Sequence, residues 1–413
     1  MPNNWKTYKL SDFIDINPLV KLKANESYSF VEMKDLDANN RTVLPSNFKS
    51  LNGGARFQND DTLFARITPC LQNGKICQVK GLKENVGFGS TEFLVFRGKK
   101  GVSDTNFVYY LSREPFFRQF AENNMIGTSG RQRVAKQAFQ NIELELPPLQ
   151  EQQSIASILS AIDDKIENNL AINKTLEEMA MALYKHWFVD FGPFQDGEFV
   201  QSELGMIPKG WEVKKICDVV SVIGGYAFKS KWFQETGIKV LKIKNINNNI
   251  VDISKCDCIS ETVSKSINPK FKVSKGDFLV AMTGAEVGKV GVVPNYQQDL
   301  WLNQRVGKFN DKEIKNASIL IGKVMQTNDF YKIIQGLAYG SAQPNISTSD
   351  IENINIILPN DKNILNTLIN DFVHLHNITI ENLTENQTLT QLRDTLLPQL
   401  ISGAVRLKEF REY

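Results

Sequence analysis

The chain spells one unit twice. Trp5, Lys9, Leu10, Asp12 and Phe13 recur with the same spacing as Trp211, Lys215, Ile216, Asp218 and Val219. Asp61-Thr62-Leu63-Phe64-Ala65 recurs as Asp277-Phe278-Leu279-Val280-Ala281. Each copy then carries a Gly-Lys-aliphatic step, Gly74-Lys75-Ile76 and Gly288-Lys289-Val290. Asn141-Ile142 with Pro147 recurs as Asn353-Ile354 with Pro359, and Asn173-Lys174-Thr175-Leu176 as Asn386-Gln387-Thr388-Leu389. The offset drifts only from 206 residues at Trp5 to 216 at Asp61. One short match is chance. An ordered series along the whole chain restricts the fold to two copies of one supersecondary plan.

Each copy closes on a run without Gly or Pro, residues 149–191 and 360–397. Helices stop at those residue types, so both runs are free to be unbroken helix. Steps of four and three run through Ile155, Leu159, Ile162, Ile166, Asn169, Asn173, Leu176, Ala180, Leu183 and Trp187. They repeat 213 residues later through Leu368, Phe372, Leu375, Thr379, Asn382, Asn386, Leu389, Arg393, Leu396 and Leu400. That is a heptad seam twice over, which predicts an intramolecular antiparallel coiled coil. Two Asn stand centrally in each seam. In one reading Asn169, Asn173, Asn382 and Asn386 are buried and fix the register, because only the register that pairs them avoids an unsatisfied amide. In the other they face solvent on slightly rotated helices, and Leu170 and Leu383 take the seam.

The region before each helix has another texture. Glu92-Phe93-Leu94-Val95-Phe96 and Lys239-Val240-Leu241-Lys242-Ile243-Lys244 alternate as strands do, and Gly53-Gly54 and Gly224-Gly225 mark turns. The fold class expected is α+β: two pseudo-symmetric globular domains separated by two long helices that form an antiparallel coiled coil. The boundaries expected are a first globular domain over 1–147, a central helix over 148–191 and a linker over 192–210. A second domain over 211–358, a C-terminal helix over 359–402 and a tail over 403–413 complete the division. Five scattered cysteines, an odd number without framework spacing, argue against a secreted disulfide fold. Met1 to Leu10 lacks the apolar core of a signal peptide, and no run reaches the ~18 apolar residues of a membrane helix. The expectation is a cytoplasmic protein. A net charge of +2 neither requires nor excludes a nucleic-acid partner, since basic side chains can gather on one face.

Four junctions carry a family resemblance. Pro147-Pro148-Leu149-Gln150-Glu151-Gln152 runs directly into Ile155-Ala156-Ser157-Ile158-Leu159-Ser160-Ala161-Ile162-Asp163. Trp187-Phe188-Val189-Asp190-Phe191 precedes Leu204-Gly205-Met206-Ile207-Pro208-Lys209-Gly210-Trp211. Gly225-Tyr226-Ala227-Phe228-Lys229-Ser230 and Leu396-Leu397-Pro398-Gln399-Leu400-Ile401-Ser402-Gly403 follow in order. The chain resembles the specificity subunits of type I restriction-modification systems over nearly its whole length. Pro359-Asn360-Asp361-Lys362 departs from a second Pro-Pro-Leu-x-Glu-Gln junction. The resemblance implies that the globular domains are target-recognition domains. It also implies double-stranded DNA, two adenine methyltransferase (M) subunits and ATP-driven restriction/translocase (R) subunits as partners. S-adenosylmethionine, ATP and Mg would reside on those partners, and this chain would hold no cofactor.

The residues independently favour a chain without chemistry of its own. The one Pro-Pro, Pro147-Pro148, lies between leucines rather than in the Asp/Asn-Pro-Pro-aromatic loop of an adenine methyltransferase. Gly284-Ala285-Glu286-Val287-Gly288-Lys289 falls one residue short of a phosphate loop, and Val290 stands where a metal-holding hydroxyl is needed. His374 and His376, two apart on a helix, point to different faces. Cys256 and Cys258 lack a second ligand pair, and Glu32-Met33-Lys34 is too short a match to a nuclease triplet. No catalytic or metal residue is expected.

DNA contact is expected from two equivalent loops. Gly127 to Lys136 offers Thr128, Ser129, Arg131, Gln132, Arg133 and Lys136, with no acid among them. Gly340 to Asn345 keeps the polar Ser341, Gln343 and Asn345 and loses the cations, so the two heads should read different half-sites. Arg suits guanine and amides suit adenine in the major groove, while hydroxyls and Lys suit phosphate. Arg66 and Lys75 join them in the first copy; Lys229, Lys242, Lys244, Asn245, Lys289, Asn303, Gln304 and Arg305 join them in the second. A helix of about 40 residues spans roughly 60 Å at ~1.5 Å per residue, which limits the half-sites to about 18 base pairs at ~3.4 Å each. The target expected is bipartite and asymmetric. The rival is a coiled-coil scaffold whose heads bind protein, and a self-contained methyltransferase or nuclease is a third reading.

Overall fold

A computed structural model describes residues 4–128, 130–247, 249–338 and 344–407. The chain divides into two compact units. The first joins Met1–Asn168 to Asn386–Tyr413, and the second is Asn169–Glu385. Each unit thus holds one globular head and a portion of both long helices.

In the first unit a five-stranded sheet runs in the order Ile14–Ile16, Phe93–Gly98, Thr62–Ala65, Ile76–Val79, Thr42–Val43. Its pairs are antiparallel except the last, which is parallel. A second, four-stranded sheet runs Asn47–Ser50, Ser27–Val31, Val86–Gly89, Ala55–Gln58. Side chains alternate across the first sheet because the strand period is two. Leu63 and Val95 enter one core with Val31 and Phe57. Phe64 and Phe96 enter another beneath the helices Thr105–Arg113 and Pro115–Asn123, where Phe107, Phe117 and Phe139 meet them. Asp104 starts the first of these helices by accepting the Phe107 N–H at 2.9 Å. Lys6–Lys9 closes the head by pairing antiparallel with Glu143–Leu146.

The second unit repeats the plan. Its larger sheet runs Val220–Gly224, Val306–Asp311, Phe278–Ala281, Val290–Val292, Ile250–Val251, Ile246–Asn247. The other runs Phe233–Gln234, Asp257–Ile259, Ile238–Leu241, Leu300–Leu302, Lys272–Val273. Trp211–Lys215 pairs with Asn355–Pro359 as Lys6–Lys9 pairs with Glu143–Leu146. The stretch read as a linker contains an antiparallel hairpin, Phe199–Ser202 with Gly205–Pro208, and Phe191 and Phe194 pack edge-on against Trp211.

The first long helix is Leu149–Tyr184, followed by one π-helical turn, Lys185–Val189, and a left-handed Phe191. The second is Lys362–Ile401 and continues through Pro398. A proline lacks the N–H of one helical bond, yet Leu397, Leu400 and Ile401 around it are buried in the first unit's core. The helices pair antiparallel within each unit. In the first, Asn386 Nδ2 donates to the Ile166 carbonyl at 3.3 Å. In the second, Asn382 Nδ2 donates to Asn173 Oδ1 at 2.8 Å and Asn169 Nδ2 to Glu385 Oε2 at 2.7 Å. Asn169 and Asn386 are buried and Asn173 and Asn382 half-buried, so the seam is polar at its centre. Leu383 is buried too, so the two readings of the seam merge: amides pair along a line that leucine flanks.

Candidate nucleic-acid interface

In each unit one strand of the larger sheet runs on past its end and collects a loop on each side. In the first unit the Val134 N–H donates to the Arg66 carbonyl at 2.9 Å and the Thr68 N–H to the Gln132 carbonyl at 3.0 Å. In the second the Ile346 N–H donates to the Met282 carbonyl at 2.9 Å and the Gly284 N–H to the Pro344 carbonyl at 2.8 Å. Bridges Ile67–Arg133 and Thr283–Asn345 complete the match. Pro344, Asn345 and Ile346 therefore hold the places of Gln132, Arg133 and Val134. On the other side of the strand the Arg66 N–H donates to the Glu92 carbonyl and the Met282 N–H to the Arg305 carbonyl, both at 3.0 Å. Glu92 and Arg305 hold equivalent positions.

The first-unit loop leaves the short pair Met125–Ile126 and Arg133–Val134. Gly127 and Gly130 have φ of 132° and 79°, conformations that favour glycine, and the Arg131 N–H closes a turn on the Thr128 carbonyl at 3.0 Å. Thr128, Arg131 and Lys136 are exposed, and neither cation has an ion pair among the described residues. Arg133 is held by Glu92, with Nη2 at 2.8 Å from Oε1 and Nε at 2.9 Å from both oxygens. Arg66 and Arg56 line an open cavity of about 460 Å³ walled by Val20, Phe93 and Val95. Ser129, Ser341 and Gln343 lie outside the described residues.

In the second unit Asn303 to Val306 forms a tight turn, with the Val306 N–H on the Asn303 carbonyl at 2.9 Å. Gln304 and Arg305 are exposed at its tip. The Gln304 N–H donates to the Tyr226 carbonyl at 2.9 Å, and a Cβ on Gly225 would stand 2.3 Å from the Asn303 carbonyl oxygen, so this approach needs glycine. Tyr226 stacks on Trp232 at 6.3 Å, and the exposed Lys229 stands 5.3 Å from the Trp232 ring. Asn345 is exposed beside Thr283. The structure thus groups Arg66, Thr128, Arg131, Gln132 and Arg133 in one unit, and Lys229, Gln304, Arg305 and Asn345 in the other.

Other expected contact residues are engaged elsewhere. Asn245 is fully buried; it accepts the Lys242 N–H at 2.9 Å and donates to the Asp252 carbonyl at 3.0 Å, capping a single 3₁₀ turn. Asp35 accepts the Glu32 N–H at 2.7 Å and caps the matching turn of the first unit. Aligning Val31-Glu32-Met33-Lys34-Asp35 with Leu241-Lys242-Ile243-Lys244-Asn245 was the available signal for that cap. Asn303 is buried and its Oδ1 accepts the Arg305 N–H at 3.3 Å, so it shapes the turn rather than reaching outward. Lys75 Nζ donates to the Met33 carbonyl at 2.9 Å. Lys242 and Lys244 pair with Asp257 at 2.6 and 2.8 Å and hold its carboxyl below the usual range, and Lys289 pairs with Glu286. Each of these lysines has a local partner, and Lys244 and Lys289 remain exposed. Glu92 and Arg56 were not expected here, because contacts distant in sequence bring them to the site; the Tyr226–Trp232 stack was not expected either, although its rings lie close in sequence.

Exposed unpaired cations, amides and glycine turns on two equivalent edges suit contacts to phosphates and base edges. Among the described residues no helix is long and apolar enough to cross a membrane, and no three His, Cys, Asp or Glu side chains are placed to hold a metal ion.

The type I restriction modification DNA specificity domain model matches residues 2–178 and 208–391. The MjaVIII specificity subunit of Methanocaldococcus jannaschii is 29% identical over 338 residues, 78% of each chain. The HindI specificity subunit of Haemophilus influenzae is 26% identical over 472 aligned residues, 98% of this chain and all of the relative. The crystal structure of the type I restriction-modification S subunit from M. genitalium superposes with a TM-score of 0.55 at 14% identity, covering 97% of both chains, and shares the fold.

Proposed function

This chain belongs to the type I restriction-modification DNA specificity family, whose domain model covers both halves, and from that premise we propose that each of its two units reads one half of a bipartite, asymmetric double-stranded DNA target. It is a specificity subunit, recognising the DNA target rather than performing the chemistry. The observation that carries the finer reading is the pair of equivalent loops with different side chains. Arg131, Gln132 and Arg133 occupy the first, while Asn345 and the adjoining Arg305 serve the second. One frame with two side-chain sets reads two sequences.

Specificity subunits of type I systems assemble with the other subunits of the complex. For this chain the partners are two adenine methyltransferase subunits, which extrude the target base, and the ATP-driven restriction subunits. S-adenosylmethionine, ATP and Mg reside on those partners, none on this chain, and the assembly works in the cytoplasm. Selection from random duplexes by the chain assembled with its methyltransferase partner tests the reading. Two short specified blocks of unlike sequence around an unspecified spacer are expected. One contiguous block, or two identical ones, would overturn it.

A further inference from the structure

Arg133 and Glu92 form a clamp with one face left over. Glu92 takes the Nε and Nη2 edge of the guanidinium at 2.8 to 2.9 Å, and the Arg131 carbonyl accepts from Nη1 at 3.3 Å. A guanidinium has five N–H groups in a fixed fork. These contacts leave at least one N–H on each terminal nitrogen, on a side chain that remains 42% exposed. A pair of parallel donors matches the O6 and N7 acceptors that guanine presents in the major groove. An arginine already fixed in orientation loses less rotamer freedom on binding than a free one. The residues at equivalent places in the second unit are Asn345 and Arg305. There the acid is absent and no such clamp exists. The pair is therefore a feature of one head and not of the shared scaffold, which would keep it in both.

We propose that Glu92 is a positioning residue for DNA readout: it presents the free fork of Arg133 to a guanine in the half-site read by the first unit. The inference rests on the reading of each unit as the reader of one half-site. Glu92 does not touch the base. It acts through Arg133, so removing either side chain relaxes the same base position.

The test uses the full chain with its methyltransferase partner and sequences the methylated sites. A wild-type complex that marks no bipartite motif defeats the underlying reading, before any variant is considered. Given that motif, Glu92→Ala and Arg133→Ala are each expected to relax one guanine of one half-site, lowering discrimination there on the order of tenfold or more. The second half-site and the spacer stay unchanged and report that the chain is folded. The double variant should be no worse than either single one. Should Glu92→Ala lose both half-sites through misfolding, Glu92→Met, which keeps the length of the side chain and removes the acceptors that hold the fork, decides the matter. Relaxation at one guanine supports the proposal; an unchanged motif, in either variant, overturns it.

Discussion

Arg393 of the second long helix places Nη1 2.8 Å from Asp163 of the first, with both side chains at most 5% exposed. Tyr110 from the head donates its hydroxyl to the other Asp163 oxygen at 2.7 Å. One carboxylate thus ties both helices to the head within the first unit. Breaking the buried pair leaves Arg393 with only Asp394, a largely exposed partner at 2.8 Å, to balance its charge. Asp163→Ala is expected to cost about 3–5 kcal/mol in urea unfolding, and the apolar double replacement Asp163→Leu with Arg393→Met to cost less than either single change. A double loss equal to the sum of the singles would show that the residues are not coupled.

The amide pair of the second unit behaves differently. Asn382 Nδ2 and Asn173 Oδ1 are 2.8 Å apart and half-buried. Asn173→Leu leaves Asn382 short of a partner and should lower stability by about 1 kcal/mol. Asn173→Leu with Asn382→Leu should recover it, since a polar seam position exchanges stability for register. Thermal melting of the four proteins of this cycle reads the coupling directly.

His376 is buried against Phe278, at 5.0 Å between rings, and burial together with the Lys323 cation beside it pushes its pKa down from 6.5 to about 4. Lys323 is itself buried, and burial lowers its pKa. A histidine with a folded value below the unfolded one binds fewer protons when folded. Its contribution is intact above about 6.5 and is lost as pH falls toward 4. Between pH 7 and 5 the wild type should lose about 1–2 kcal/mol more than His376→Gln. Equal pH dependence of the two proteins would exclude this residue as the source.

The exposed cations are expected to separate by role. Lys136 and Lys229 have no ion pair among the described residues. Replacing either with Ala should weaken binding alike for all sequences and make the slope of log affinity against log salt shallower by about one. Arg305→Ala should relax one position of the second half-site by about 1–3 kcal/mol and leave the first untouched. A uniform loss with Arg305→Ala would move that residue to the phosphate class.

The repeat and both long helices were legible because periodicity is local: the steps through Ile155, Leu159 and Ile166 need no tertiary knowledge. The seam also carried Arg393, but nothing nearby in sequence pointed to Asp163 or Tyr110. The interface loops could be found by offset, whereas the state of each charge could not. Lys242 and Lys244 read as a basic run until Asp257 is brought beside them. Asn245 read as a base-contacting amide, and only its alignment with the capping Asp35 pointed to its place in the turn. Glu92 lay inside a strand pattern, and only the fold sets it against Arg133.

On the proposed function the chain determines which DNA sequence its complex recognises, one half-site per unit. Mapping N6-methyladenine across the genome of cells that express the methyltransferase partner, with and without this chain, tests it most directly. An asymmetric bipartite motif that disappears when the chain is omitted is the expected result. An active methyltransferase that co-purifies with the chain yet marks no motif would contradict it and leave a scaffold that binds its partner without reading DNA.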